Sequence, residues 1–428
     1  MKVLMFGWEF PPHITGGLGT ACFGLTNAMV RQGIEVLFVV PKVYGDESQE
    51  AVQLVSCEEL GIDIHNPIYR HYQDKFSYIT VDSRLIPYQT EEEYYREISR
   101  LNAGTNKEQS VYSESYIFSG GYGANLYEEV ERYALVAATI ASKYDFDVIH
   151  VHDWLTYKAG IEARRVSGKP LVIHVHATEF DRSGEDNLNS HVYGIEKYGM
   201  EQADKIFTVS NLTKDIVVRK YGQSLNKVTT VHNGVDIDWE NIATLEKKVP
   251  EKIVTFLGRI TFQKGPIYFV EAAHKVLQKE PNVRFVMAGS GDMLNEMVSK
   301  AARLGISDKF NFTGFLKGDD VDKMFSMSDI YVMPSVSEPF GISPLEAMRA
   351  GVPVIISKQS GVSEVLEYAV KVDFWDVDAI ADAIYGLLHY PALDKVLSGN
   401  GKREVNTIQW DNAAKIIKEE YRILISTK

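Results

Sequence analysis

The 428-residue chain predicts an α/β fold made of two doubly wound parallel sheets in series. Three observations carry that expectation. Short apolar runs alternate with amphipathic stretches of helical length, the rhythm of strand–helix–strand crossovers. The rhythm stops across a polar stretch, Asn233 to Lys252, and then restarts. At roughly 100–200 residues per domain, the length accommodates two cores.

The first strand is expected at Val3–Trp8, a continuous apolar run of the kind a strand covered on both faces needs. Pro11 and Pro12 end it. A loop, Gly16-Gly17-Leu18-Gly19-Thr20, leads into a helix from about Thr20 to Gln32, closed by Gly33. Val36–Pro41 is the next strand. From Tyr69 to Tyr133 the rhythm breaks, and eleven of the 23 tyrosines gather there among many acids. This stretch, about 66–133, reads as an insertion. Its rings either pack on the first domain or offer apolar faces to sugar rings. Strands resume at Val148–His152, Leu171–His176, Ile206–Ser210 and Val228–His232. After the linker come Ile253–Leu257, Val283–Ala288, Phe310–Thr313, Ile330–Pro334 and Val354–Ser357. The domains are therefore expected at 1–235 and 250–407, with a last segment at 408–428.

The formal net charge of −13 excludes a general nucleic-acid or anionic-membrane binder, because both need a basic field. It leaves room for one small basic pocket around one small anion. Two cysteines, Cys22 and Cys57, cannot build a disulfide framework or a Cys zinc site, which suits a reducing, cytoplasmic compartment. The first ten residues are too short an apolar run for a signal-peptide core, and no run approaches the length of a membrane span.

Three constellations carry chemistry. Gly16 and Gly17 lie between the first strand and first helix, where backbone N–H groups can approach a phosphate. Arg259 and Lys264 stand five positions apart on a Gly-bracketed loop after the Ile253–Leu257 strand. There a planar fork and a mobile point charge can share phosphate oxygens. The third is Ser335 to Met348. Ser343 is expected as a helix N-cap, Pro344 at the first helical position and Glu346 closing a capping box. The amides of Gly341, Ile342 and Ser343 would face a phosphate, and Glu338 would accept hydrogen bonds from ligand hydroxyls. The Asp-x-Asp spacings at Asp145/Asp147, Asp236/Asp238 and Asp376/Asp378 match a metal motif of other enzymes. They fall before a strand, in the linker and at a helix start, so no divalent metal or other cofactor is expected.

Together these residues resemble the retaining glycosyltransferases of the GT-B fold, in particular the glycogen and starch synthase-like branch. Glu338 and Glu346 form its E-x7-E motif, and Arg259 and Lys264 its R-x4-K pair. The segment His150-Val151-His152-Asp153-Trp154 matches as well, so the likeness runs over nearly the whole chain. The resemblance implies two Rossmann-like domains facing across a deep cleft, with a C-terminal helix that crosses back to the first. It implies that Arg259 and Lys264 bind the donor diphosphate, Glu338 the transferred sugar and Glu346 the ribose. Gly16 and Gly17 would approach the phosphates, and His152 and His176 would lie near the donor sugar. No side chain stands out as a nucleophile, so front-face transfer with retention is expected.

The expected substrates are ADP- or UDP-glucose and the non-reducing end of an α-1,4-glucan, with no nucleic-acid partner and no stable membrane insertion. The run His174 to Arg182 resembles compact members of this branch. Ile14 departs from the K-x-G-G loop of bacterial glycogen synthases. That departure moves the resemblance from ADP-glucose toward the broader compact retaining transferases, with a sugar-phosphate or polysaccharide-precursor acceptor as the alternative; a sugar-nucleotide epimerase and a non-catalytic carbohydrate binder are separate alternatives. Intact Glu338, Arg259 and Lys264 weigh against the last.

Overall fold

A computed structural model of the chain describes residues 1–10, 17–42, 53–56, 126–184, 187–235, 247 and 249–427. Two parallel sheets organise them. The first contains β1 (Lys2–Phe6), β2 (Glu35–Val40), β3 (Gln53–Ser56), β4 (Val148–His152), β5 (Leu171–Val175), β6 (Lys205–Thr208) and β7 (Val228–Thr230), in the order β3-β2-β1-β4-β5-β6-β7. The second contains β8 (Lys252–Leu257), β9 (Val283–Ala288), β10 (Phe310–Gly314), β11 (Ile330–Met333), β12 (Val354–Ser357) and β13 (Val370–Val372), in the order β10-β9-β8-β11-β12-β13. In each sheet the strand order reverses once, between β1 and β4 and between β8 and β11. At such a reversal the loops leaving the carboxyl ends of neighbouring strands diverge and open a ligand crevice.

The apolar runs become strands because both sheet faces are covered; β1, β4 and β5 are buried almost throughout. Two strands escaped the sequence reading, β3 and β13, which are short and sit at sheet edges. The first helix also corrects it. It spans Gly17–Arg31, so Gly17, Leu18 and Gly19 are helical rather than loop. Gly19 and Gly24 are buried there, and that packing overrides the low helix propensity of glycine.

By packing, the described chain divides into two compact units. One comprises Met1–Val175, Ser190–Phe207 and Ala414–Lys428, the other His176–Asn189 and Thr208–Ala413. Most of the tyrosine-rich stretch lies outside the described residues. Its end enters the helix Leu126–Lys143, where Tyr133 is fully buried and donates from its hydroxyl to the carbonyls of Gly7 (2.9 Å) and Val39 (2.7 Å). For that ring the packing alternative holds.

Within the first unit, the last helix, Trp410–Ser426, brings Tyr421 onto the sheet face that carries His150, His152 and His174. The Tyr421 hydroxyl bonds His150 Nδ1, and His150 Nε2 lies 3.3 Å from His174 Nδ1. Lys205 pairs with Glu420 at 3.0 Å on the same helix. Burial pushes the Tyr421 phenol well up, so it stays protonated as a hydrogen-bonding group. Tyr421→Phe removes the partner of a buried imidazole nitrogen and should cost about 1–3 kcal/mol in urea denaturation at neutral pH. An unchanged midpoint would show that this bond contributes nothing.

Candidate active site

In the second unit, the site grows from the loops that leave β8 and β11 at the strand-order reversal. After β8 the chain turns through Gly258, Arg259 and a 3-10 turn, Phe262–Lys264, and enters the helix Pro266–Lys279 at Gly265. After β11 it runs through Pro334 to Gly341 into the helix Ser343–Arg349. The two loops are knitted together. Val336 N–H donates to the Gln263 carbonyl at 2.9 Å. Gly265 has φ +63°, and a Cβ there would stand 2.1 Å from the Pro334 carbonyl oxygen.

This knitting joins two of the expected site residues. Lys264 Nζ donates to Glu338 Oε2 at 2.5 Å, and Ser335 Oγ donates to the same oxygen at 3.2 Å. Glu338 is only 6% exposed. Its backbone is fixed too: its N–H donates to Gln359 O at 3.0 Å, and its carbonyl accepts from Gly361 N at 2.9 Å. Gly341, at φ +98°, packs beneath it, and a Cβ would lie 3.1 Å from Glu338 Cγ and from Met333. Arg259 is exposed, with its guanidinium 3.4 Å from Gln263 Oε1. It is the exposed cation of the pair, while Lys264 is held by Glu338.

The expected capping box at Ser343 and Glu346 is not formed. The helix takes Ile342 as its N-cap without a side-chain bond, and Pro344 is the second helical residue rather than the first. The reason lies in the tertiary structure. Ser343 Oγ is 2.8 Å from the hydroxyl of Tyr331, which donates to Leu257 O at 3.2 Å. Burial holds that phenol protonated, so it competes for the serine. Burial also raises the Glu346 carboxyl, outweighing the nearby Arg349.

In the first unit, His152 ends β4 and stacks its ring 4.6 Å from His150 and 5.4 Å from His174. The three imidazoles offer nitrogens within 4.8 Å of one another. Both ring nitrogens of His150 are already engaged, so the row is a hydrogen-bond chain before it is a set of metal donors. Asp153 follows at φ 57°, ψ 171°, a conformation close to glycine-only, and is the one non-glycine residue at positive φ among those described. Such strain persists only where the surrounding structure enforces it. Gly17 opens its helix exposed, with nothing within 4 Å of the place a Cβ would take. Packing therefore does not demand a glycine there. Gly16, Ile14 and Asp236/Asp238 lie outside the described residues. Three of the other Asp-x-Asp aspartates are engaged within the protein. Asp147 accepts from Lys2 N at 2.8 Å, Asp376 caps its helix at Ala379 N at 2.9 Å, and Asp378 pairs with Lys275.

His176 follows β5 and belongs to the second unit. Burial pushes its imidazole from 6.5 down to about 3, so it is neutral at pH 7. Between those values the unfolded chain binds a proton that the folded chain refuses. This residue therefore lowers stability as pH falls from about 6.5 toward 3, and its contribution is fully restored above that window. Comparing urea denaturation at about pH 7.5 and about pH 5, His176→Gln should reduce the acid loss by up to about 2 kcal/mol. An identical acid loss in the variant would remove His176 as its source.

Residue spacing gave no sign of Ser335, Ser337, Tyr331 or Gln263 as supports of the site. Ser335 reaches Glu338 from three residues away and Tyr331 meets Ser343 across 12, whereas Ser337 meets Asp181 across 156.

Comparison with known proteins agrees with this architecture. A family model for the starch synthase catalytic domain matches residues 2–231, and one for glycosyl transferases group 1 matches residues 237–404. An uncharacterized glycosyltransferase of Methanocaldococcus jannaschii is 29% identical across 99% of this chain and 98% of its own. Glycogen synthase of Mycobacterium tuberculosis is 25% identical across 92% of this chain and 87% of its own. Among solved structures, sucrose-phosphate synthase from Thermosynechococcus elongatus superposes with a TM-score of 0.73 at 18% identity, covering 100% of both chains. Among the described residues no helix is long and apolar enough to cross a membrane. The chain belongs to the starch synthase catalytic domain family and is a GT-B glycosyltransferase of the glycogen/starch synthase type.

Proposed function

We propose that the protein is a retaining hexosyltransferase that moves glucose from ADP- or UDP-glucose to the non-reducing end of an α-1,4-glucan. The observation that carries this reading is the Lys264–Glu338 pair, held by two knitted loops at the carboxyl edge of the second sheet. A buried carboxylate paired to a cation on a nucleotide-side loop is suited to hold sugar hydroxyls beside a diphosphate. When donor arrives, Lys264 exchanges part of its bond to Glu338 for phosphate oxygens, and Arg259 swings in from solvent. Their positive charge stabilises the departing nucleotide as the glycosidic bond breaks, the kind of term that dominates many enzymes.

Gly341, Ile342 and Ser343 offer backbone amides to the phosphates. The helix behind them has only seven residues, so the two cations supply most of the field. Glu346, made less acidic by burial, takes ribose hydroxyls as a hydrogen-bonding group. We further propose Gly16 and Gly17 as phosphate contacts and His152 and His176 as donor-sugar contacts; burial keeps His176 neutral. The departing phosphate takes the acceptor proton, so no protein base is needed. With this charge supplied by side chains, no divalent metal is assigned.

A donor-by-acceptor screen tests the reading: ADP-glucose and UDP-glucose, each with and without maltooligosaccharides. Nucleotide release that requires the oligosaccharide, with an α-linked product by NMR, is the expected result. An inverted product, or activity lost to EDTA and restored by manganese, would overturn it. Transfer to a sugar phosphate instead would favour the other acceptor class, to which Ile14 points.

A further inference from the structure

The geometry points to Asp181 as a positioning residue for Glu338, acting through Ser337; this rests on the site reading above. Asp181 lies in the short helix Glu179–Ser183, is 3% exposed, and spends its two oxygens on two different elements. One oxygen accepts from Thr178 N at 2.8 Å and Thr178 Oγ1 at 2.7 Å, closing a capping box. A capping box needs only that oxygen. The other accepts from Ser337 Oγ at 2.7 Å, across 156 residues of sequence. Thr178 follows His176 by two positions and Ser337 precedes Glu338 by one, so a single buried carboxylate ties together two candidate site segments.

Glu338 is already anchored on three sides. Its carboxylate is held by Lys264 and Ser335, its backbone by Gln359 and Gly361, and the preceding turn by Val336 N–H on Gln263 O. Ser337 is the residue between these anchors, and Asp181 is its side-chain partner. A hydroxyl donating to a buried carboxylate makes a strong, directional bond. Losing it removes the side-chain restraint on the turn between Val336 and Glu338 while the ion pair persists, and a misplacement on the order of 1 Å at a reacting centre costs about a hundredfold in rate. Asp181 touches neither donor nor acceptor in this account. It sets the angle at which Glu338 meets the sugar.

The test uses the full-length protein carrying Ser337→Ala, which removes the link and leaves the capping box intact. Ser337→Thr restores the hydroxyl, and Asp181→Asn alters the acceptor. Two readouts are taken: kcat and donor KM for glucosyl transfer, and amide hydrogen exchange over residues 335–340. Ser337→Ala should lower kcat roughly tenfold to a hundredfold, leave donor KM within about twofold, lower the melting temperature by only a few degrees and speed exchange at 336–338. Ser337→Thr should restore kcat to within about threefold of the parent. Unchanged exchange in Ser337→Ala overturns the link, and faster exchange with parental kcat overturns the positioning role. Should the parent show no glucosyl transfer from either donor, the functional reading fails, while exchange still decides whether Asp181 restrains the Glu338 segment.

Discussion

Glu338→Ala should lower turnover by roughly two to three orders of magnitude with little loss of donor affinity. The carboxylate is buried, paired with Lys264 at 2.5 Å and held by Ser335 at 3.2 Å, so its removal does two things. On the proposed reading it deletes the acceptor for sugar hydroxyls, and it frees a cation that then binds phosphate without directing it. Ground-state affinity is thereby preserved while the reacting geometry is lost. Glu338→Gln keeps the shape and one acceptor oxygen but not the charge, and should fall between alanine and parent. Steady-state kinetics with saturating maltooligosaccharide reads this directly. Turnover within about threefold of the parent in Glu338→Ala would remove this residue from the site.

Gly265→Ala should destabilise the protein by about 3 kcal/mol and depress activity with it. Two penalties coincide at this position. A left-handed backbone at φ +63° costs a non-glycine residue about 1–2 kcal/mol. The added methyl would then stand 2.1 Å from the Pro334 carbonyl oxygen, and backbone cannot yield as a flexible side chain would. The β8 and β11 loops must part, which breaks the Val336–Gln263 bond and slackens the Lys264–Glu338 pair. Gly305→Ala is the control, because Gly305 has φ +69° and nothing within 4 Å of its would-be Cβ. It should cost only the conformational part, about 1 kcal/mol. Equal losses for the two variants in guanidinium denaturation would show that the close approach at Gly265 is unimportant.

Much of the fold was legible in the chain because buried parallel strands leave a local signature. Val148–His152, Val283–Ala288 and Val354–Ser357 fall where the apolar runs place them, to the residue. Helix ends were less legible, since caps can be outbid. Ser343 has the residue type and spacing of an N-cap, yet Tyr331 takes its hydroxyl. The run of three glycines before Thr20 suggests a loop, yet burial of Gly19 draws the helix back to Gly17.

The candidate site divides in the same way. The formal charge of −13 leaves room for an anion site only as a small pocket, and residue type with spacing nominates Arg259, Lys264 and Glu338 as its candidates. Residue type and spacing are local properties, so the sequence alone nominated those positions and determined the parallel architecture that presents them. Only the tertiary structure decided which partners restrain them. Lys264 meets Glu338 across 74 residues, Asp181 meets Ser337 across 156, and Tyr421 meets His150 across 271. No periodicity or motif spans such intervals, because those pairs arise from how strand-end loops and a terminal helix pack once the sheets have formed.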